Sequence, residues 1–126
     1  MRFLKEYIIM IFLILFVILY EIITVNITKS SLEEINSKID ELEYALQTNE
    51  SEEKIEELTN LWKNKEGEME FYMAHKELEE ISLAIVDIKS CIENDKKDEA
   101  KEEIEEVKFR IEHIKNMQKI ELKNIF

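Results

Sequence analysis

The distribution of apolar residues divides the chain into two parts. Fourteen consecutive residues from Tyr7 to Tyr20 are apolar or aromatic, and after Glu21 the chain stays largely apolar as far as Ile27. Beyond this point apolar residues recur every three or four positions, which is the spacing of one face of an α-helix. The pattern predicts an apolar N-terminal segment followed by amphipathic helices.

Four apolar stripes follow one another in the amphipathic region, and each has the spacing of a helix face. The stripes are Leu32, Ile35, Ile39, Leu42 and Leu46; Ile55, Leu58, Trp62, Met69 and Tyr72; Leu78, Ile81, Ile85, Ile88 and Ile92; and Ala100, Ile104, Val107, Ile111 and Ile114. The third stripe repeats the first at a shift of 46 residues. This repeat fits either a duplicated helix–turn–helix unit or the heptad spacing that any two such hairpins share.

Residues that favour helix ends separate the stripes. They predict breaks at residues 48–51 and 94–95, and a third break at Ala74–Lys76, with Gly67 as the alternative. The predicted helices span residues 30–48, 51–73, 77–94 and 97–117, followed by a tail.

Short breaks place consecutive helices side by side and antiparallel. The sequence therefore predicts an all-α fold, with an N-terminal transmembrane helix followed by a small antiparallel helical bundle of two helix–turn–helix hairpins. Two stacked hairpins, or stripes that pair with another chain as a coiled coil, are the alternatives.

The apolar segment is expected to be an uncleaved signal-anchor over residues 1–28, with the acidic helical domain over residues 29–126. About twenty apolar residues are needed to span a bilayer, and residues 3–27 supply them for contact with lipid. A cleaved signal would need small residues after the apolar run, and LYEIITVNITKSS contains no alanine or glycine there.

The basic residues near the apolar segment predict its orientation. Arg2 and Lys5 precede it, whereas only Lys29 follows it closely. Positive residues favour the cytoplasmic side of a membrane. We therefore expect a single-pass protein of the cell membrane, with a cytoplasmic N-terminus and an extracytoplasmic C-terminal domain.

The composition supports long helices and excludes one class of partner. The chain has no proline, one glycine and 37% charged residues, which is typical of helical proteins. The net charge is −12, and residues 28–126 carry all of it. Such a surface repels phosphate backbones, so no nucleic-acid partner is expected.

No catalytic, cofactor or metal site is expected from the motifs. Neither His75 nor His113 has a glutamate three residues before it, as di-iron bundles require. A catalytic thiolate would need a lowered pKa, and Ser90, Ile92 and Glu93 beside the only thiol, Cys91, offer nothing to lower it. The sequence therefore predicts a protein that is not an enzyme. If the last two helices are antiparallel, His75 lies level with residue 116, so a polar or pH-sensitive contact with His113 is an alternative to two ordinary histidines.

Trp62 and Phe126 are two further candidate contact residues. Trp62 lies on the second stripe and is expected to anchor the core. The tail ends in apolar residues, namely Ile120, Leu122, Ile125 and Phe126. They are expected to fold back on the bundle, with a short apolar peptide for a partner as the alternative.

The chain also resembles a known family. The resemblance lies in the N-terminal apolar segment, Trp62, the string HKELEEISLAIVDIKSCIENDKKDEAKEEIEEVKFRIEHI and the closing LKNIF. These features are similar to those of domain of unknown function family 4363, short membrane-anchored proteins of spore-forming Gram-positive bacteria. The resemblance implies a membrane-anchored helical protein and supplies no activity.

The expected function is contact with other proteins at the cell envelope, through the acidic helical domain. The partner is an unknown protein or a second copy of the chain. A coiled-coil scaffold of the envelope and a pH or ligand sensor that uses His75 and His113 are the alternatives.

Overall fold

Four α-helices form the structure. The computed structural model describes residues 2–71 and 73–125, with all side chains except those of residues 121, 122 and 125. The helices are α1 Arg2–Ala45, α2 Ser51–Met69, α3 His75–Glu93 and α4 Lys97–Ile125. The predicted all-α bundle is confirmed.

α1 runs without interruption from the apolar segment into the bundle. No proline or glycine lies between Arg2 and Ala45, so nothing breaks its backbone hydrogen bonds. Thr24, Thr28 and Ser31 are buried and extend the stripe that begins at Leu32. The bundle therefore begins near Thr24, four residues before the predicted end of the anchor.

Buried hydroxyl groups near the start of the bundle are satisfied within α1 itself. The Thr28 hydroxyl donates to the Thr24 carbonyl oxygen at 2.8 Å, and the Thr24 hydroxyl donates to the Tyr20 carbonyl oxygen. A buried hydroxyl without a partner costs about 1–3 kcal/mol. These bonds explain how polar side chains fit a core position, which apolar spacing alone does not reveal.

The core lies where the four stripes face one another. α1 packs against α2 and α4, and α3 packs against the same two helices, so each helix has two antiparallel neighbours. Every residue of the first and fourth stripes is at most 3% exposed. In the third stripe only Ile92 is half-buried, and in the second Tyr72 lies outside the described residues. The stripes are thus buried within one chain.

The turns lie at the predicted breaks. Residues 46–50 join α1 to α2, and residues 94–96 join α3 to α4 at the same end of the bundle. Asp95 has a φ of 56°, in the left-handed region that aspartate tolerates better than most residues. This conformation reverses the chain and lets the Lys96 amide donate to the Cys91 carbonyl oxygen at 2.8 Å.

The second break differs in detail from the prediction. α2 ends at Met69 rather than residue 73, and α3 begins at His75 with Ala74 as its N-cap residue. Gly67 lies inside α2 in open space, so the alternative break at this glycine is wrong. A glycine on an exposed helix face weakens the helix by only about 1 kcal/mol and need not end it.

The expected fold-back of the tail is wrong for Ile120, whereas Phe126 and the side chains of Leu122 and Ile125 lie outside the described residues. α4 continues through the predicted tail to Ile125, and Ile120 is 60% exposed. The segment QKIELKNI contains no helix breaker, so the helix continues. Ile120 then falls on the outer face of α4, opposite the buried stripe.

Candidate functional site

A shallow groove of about 350 Å³ lies between the first turns of α3 and the second half of α4. Its lining residues are Lys76, Glu77, Glu80, Phe109, Arg110, His113 and Ile114. The groove combines an aromatic side chain, both signs of charge and an apolar floor. Because it brings these side chains together in one concave surface, we take it as the candidate site.

Arg110 lies in the groove and joins the two helices. Its guanidinium donates to Glu80 across the groove and to Glu106 on its own helix, the latter at 2.9 Å. Its Nε is buried and has no hydrogen-bond partner among the described residues. One N–H of this side chain therefore has no acceptor among the described residues.

The two candidate histidines are not joined. The pairing of Glu80 with Arg110 confirms the predicted antiparallel register. His113 lines the groove and stacks on Phe109, with ring centroids 6.5 Å apart and planes 11° apart. His75 is the exposed first residue of α3 and does not line the groove. Within the described residues no hydrogen bond or ring contact links the two imidazoles.

Trp62 is a core residue with a polar anchor. Its side chain is 3% exposed, and its Nε1 donates to Ser82 Oγ at 2.7 Å. Ser82 in turn donates to a Glu66 carboxylate oxygen at 3.1 Å. The sequence analysis missed Ser82 and Glu66. Pairing positions across the antiparallel α2–α3 turn would have placed Ser82 near Trp62, but the predicted turn lay too far along the chain.

An acidic cluster surrounds the single thiol near the far turns. Cys91 is half-buried, and burial raises the pKa of its thiol, as do the nearby carboxylates of Glu99 and Glu103. Burial also raises the pKa of the Glu103 carboxyl, with a smaller effect from the negative charges of Glu106 and Asp87. A raised pKa keeps the thiol protonated, which makes it a poor nucleophile.

The remaining candidate contact residue, Phe126, lies outside the described residues. Within residues 2–71 and 73–125, no group of three or more His, Cys, Asp or Glu side chains is placed to hold a metal ion. The candidate site is therefore a surface of charged and aromatic side chains.

The fold and the site together define a class of protein. The chain is a helical-bundle protein, and among its described residues one helix, α1, is long and apolar enough to cross a membrane. It belongs to the family described as Domain of unknown function (DUF4363), whose model matches residues 22–125. Comparison with curated proteins and with solved structures found no match. The matched range begins just before Thr24, where the bundle begins.

Proposed function

We propose that this chain is a single-pass membrane protein whose acidic helical bundle binds other proteins at the outer face of the cell membrane. The observation that carries the proposal is the exposure of the N-terminal half of α1. Nearly every residue from Phe3 to Tyr20 is exposed, although almost all are apolar. The bundle leaves this segment uncovered, so a surrounding apolar medium is needed.

Transfer into a bilayer provides that medium. Burying one large apolar side chain contributes about 1.5–3 kcal/mol, and most residues between Phe3 and Tyr20 are of this kind. The total is on the order of tens of kcal/mol. A helix also satisfies its own backbone groups, as a lipid-exposed segment must.

The distribution of basic residues around the apolar segment supports an extracytoplasmic location for the bundle. Arg2 and Lys5 stand before the apolar segment, and Lys29 follows it. The side of the membrane with more lysine and arginine is usually cytoplasmic.

The groove between α3 and α4 is the proposed contact surface for the partner protein. Phe109 is 72% exposed, and Arg110 lies beside it with a buried Nε. Aromatic residues and arginine are enriched at protein interfaces. The groove contains no activated nucleophile, so we propose binding without catalysis.

Protease shaving of intact, wall-stripped cells tests the location. If the bundle lies outside, protease removes it before lysis, while a cytoplasmic marker protein stays intact. Survival of the bundle until lysis would show that it is cytoplasmic and would overturn the orientation. A variant in which Arg2 and Lys5 are both replaced by Glu gives the matched control, because its bundle should become at least partly protected.

Site-specific photocrosslinking in living cells tests the contact surface. A photoreactive phenylalanine analogue at Phe109 should give a discrete protein adduct. The same analogue at Tyr44, which is 73% exposed near the far turns, should give none. Equal yields at both positions, or no adduct from Phe109, would remove the groove from the proposal.

A further inference from the structure

One end of the bundle lies directly beside the apolar part of α1. Phe71 in the α2–α3 turn and Gln118 of α4 line a common cavity with Tyr20 and Thr24. Tyr20 is the last residue of the uncharged apolar run. The bundle thus begins where that run ends, and no free linker separates the two.

The last turns of α4 reach further along α1. α4 continues for seven residues beyond Gln118, which corresponds to about 10 Å of helix. Lys108 of α4 pairs with Asp40 and Glu43 of α1, so residues of these antiparallel helices whose numbers sum to about 150 lie level. The end of α4 therefore lies level with roughly residue 25 of α1, little more than one turn beyond Tyr20.

The length of the apolar run fixes where a bilayer would lie. The uncharged run from Tyr7 to Tyr20 forms about 21 Å of helix. With Phe3–Glu6, whose Lys5 can extend its amine to the interface, the segment reaches about 27 Å, close to the hydrocarbon thickness of about 30 Å. Tyr20 then lies at the boundary of the hydrocarbon layer, and so does the adjoining end of the bundle.

We propose that this end of the bundle rests in the lipid headgroup layer. We define the bundle base as Phe71, Lys119, Ile120 and Lys123. Phe71 is 81% exposed and Ile120 is 60% exposed, and both lysines are exposed. Aromatic and apolar side chains favour the membrane interface, and lysines there attract lipid phosphate groups. The inference rests on the proposed membrane anchor.

The distribution of charge supports this contact. Residues 40–60 and 87–106, which flank the two turns at the opposite end, hold 17 carboxylates and five basic residues. Arg2, Lys5 and Glu6 lie before the apolar run, and residues 21–39, 61–86 and 107–126 hold eleven carboxylates and ten basic residues, so their formal charges nearly cancel. The whole net charge of −12 therefore lies at the end away from the base. An anionic bilayer then faces the nearly neutral end of the bundle, which carries Lys119 and Lys123, and the acidic end is held away from it.

Spin labels on the full chain in vesicles of phosphatidylethanolamine and phosphatidylglycerol test the inference. A spin label is attached to a single cysteine that replaces Phe71, Phe109 or Phe12 in a Cys91→Ala background. Collisions of the label with oxygen, which concentrates in lipid, and with a water-soluble nickel chelate are then measured. Phe109 is the matched control, since it is as exposed as Phe71 but lies on the side of α4. We expect the oxygen-to-nickel ratio at position 71 to be several-fold that at position 109.

The oxygen-to-nickel ratios at the three positions distinguish the proposed membrane anchor from the proposed contact of the base with lipid. A lipid-like ratio at position 12 with equal ratios at 71 and 109 would show that the apolar segment is in the membrane but that the base does not contact lipid, which would overturn this inference. A water-like ratio at position 12 would overturn the anchor and, with it, this inference.

Charge reversal tests the role of the lysines. Lys119→Glu combined with Lys123→Glu should lower the ratio at position 71. The matched pair Lys97→Glu and Lys101→Glu, at the acidic end, should leave it unchanged. Equal effects of the two pairs would overturn the attraction of the base lysines to lipid phosphates.

Discussion

At the scale of single residues, polar side chains explain features that apolar spacing does not. Thr28 is fully buried because its hydroxyl bonds to the backbone of its own helix. Trp62 fits the core because Ser82 accepts its indole N–H. In both cases a partner elsewhere satisfies the polar atom, so the residue can occupy a core position.

The bond between Trp62 and Ser82 makes a first prediction. Ser82→Ala leaves a part-buried indole N–H without its partner, so the free energy of unfolding should fall by about 1–3 kcal/mol. Trp62 is the only tryptophan, and its fluorescence reports unfolding by urea in detergent solution. Ser37→Ala on an exposed position of α1 is the control. Equal losses in the two variants would mean that the bond contributes nothing.

The raised pKa of Glu103 predicts a dependence of stability on pH. The folded state binds a proton at Glu103 more tightly than the unfolded state, so stability contributed by this group rises as pH falls through the raised pKa. Glu103→Gln should therefore stabilise the bundle at pH 7. This gain should shrink as the pH approaches the unfolded pKa of about 4.3.

Thermal unfolding at several pH values measures this effect. Glu105→Gln removes the same charge from an exposed position on α4 and is the control for net charge. A gain at pH 7 no larger for the Glu103 variant than for the Glu105 variant would contradict the prediction.

At the scale of elements, α1 and α4 each have two different environments along one helix. α1 is exposed on all sides before Tyr20 and is buried along one stripe from Thr24 onward. α4 is buried along one stripe as far as Ile114, and it continues past the ends of α2 and α3 to Ile125. Neither change is accompanied by a break in the helix.

The two ends of α4 should respond differently to truncation of an isoleucine. Ile111 is fully buried, so Ile111→Ala should lower the free energy of unfolding by about 2–5 kcal/mol. Ile120→Ala should change it by less than about 0.5 kcal/mol in detergent solution, because that side chain is already exposed. Urea unfolding of the detergent-solubilised full chain compares them. A large loss from Ile120→Ala would indicate that the tail does pack on the bundle.

At the scale of the whole molecule, the core is closed within one chain. The apolar stripes that an envelope coiled coil would share with a second chain are already buried against one another. Charge is also distributed unevenly along the bundle, which is nearly neutral towards the base and strongly acidic at the far end. A partner that approaches the far end must therefore tolerate or complement dense negative charge.

The closed core predicts that the bundle is a monomer when it is separated from the apolar segment. Residues 21–126 keep Thr24 and Thr28 in their places and remove most of the apolar run. We expect this fragment to sediment as a compact monomer. An elongated dimer in analytical ultracentrifugation would contradict the closed bundle and favour the scaffold. A fragment of residues 30–126 should be less stable, because it lacks the buried start of the α1 stripe.

The sequence by itself determined the helices, their stripes and the apolar anchor segment. Helix-face spacing and the absence of proline are local properties, and burial follows them at positions such as Ile35, Ile85 and Ile111. The register of α3 against α4 also followed from the position of one short turn. The identity of a partner did not follow, because exposed side chains such as Phe109 carry no pattern that requires one.

Only the tertiary structure decided which polar residues join the core and how far the bundle extends. The hydrogen bond from Trp62 to Ser82 and the burial of Thr24 depend on distances between helices, which no local spacing encodes. The absence of a fold-back after Ile114 and the position of Phe71 beside Tyr20 depend on the end of the bundle as a whole. Helix-forming sequence sets where a helix can run, whereas the packing of neighbouring helices sets which part of it meets protein and which part meets lipid or water.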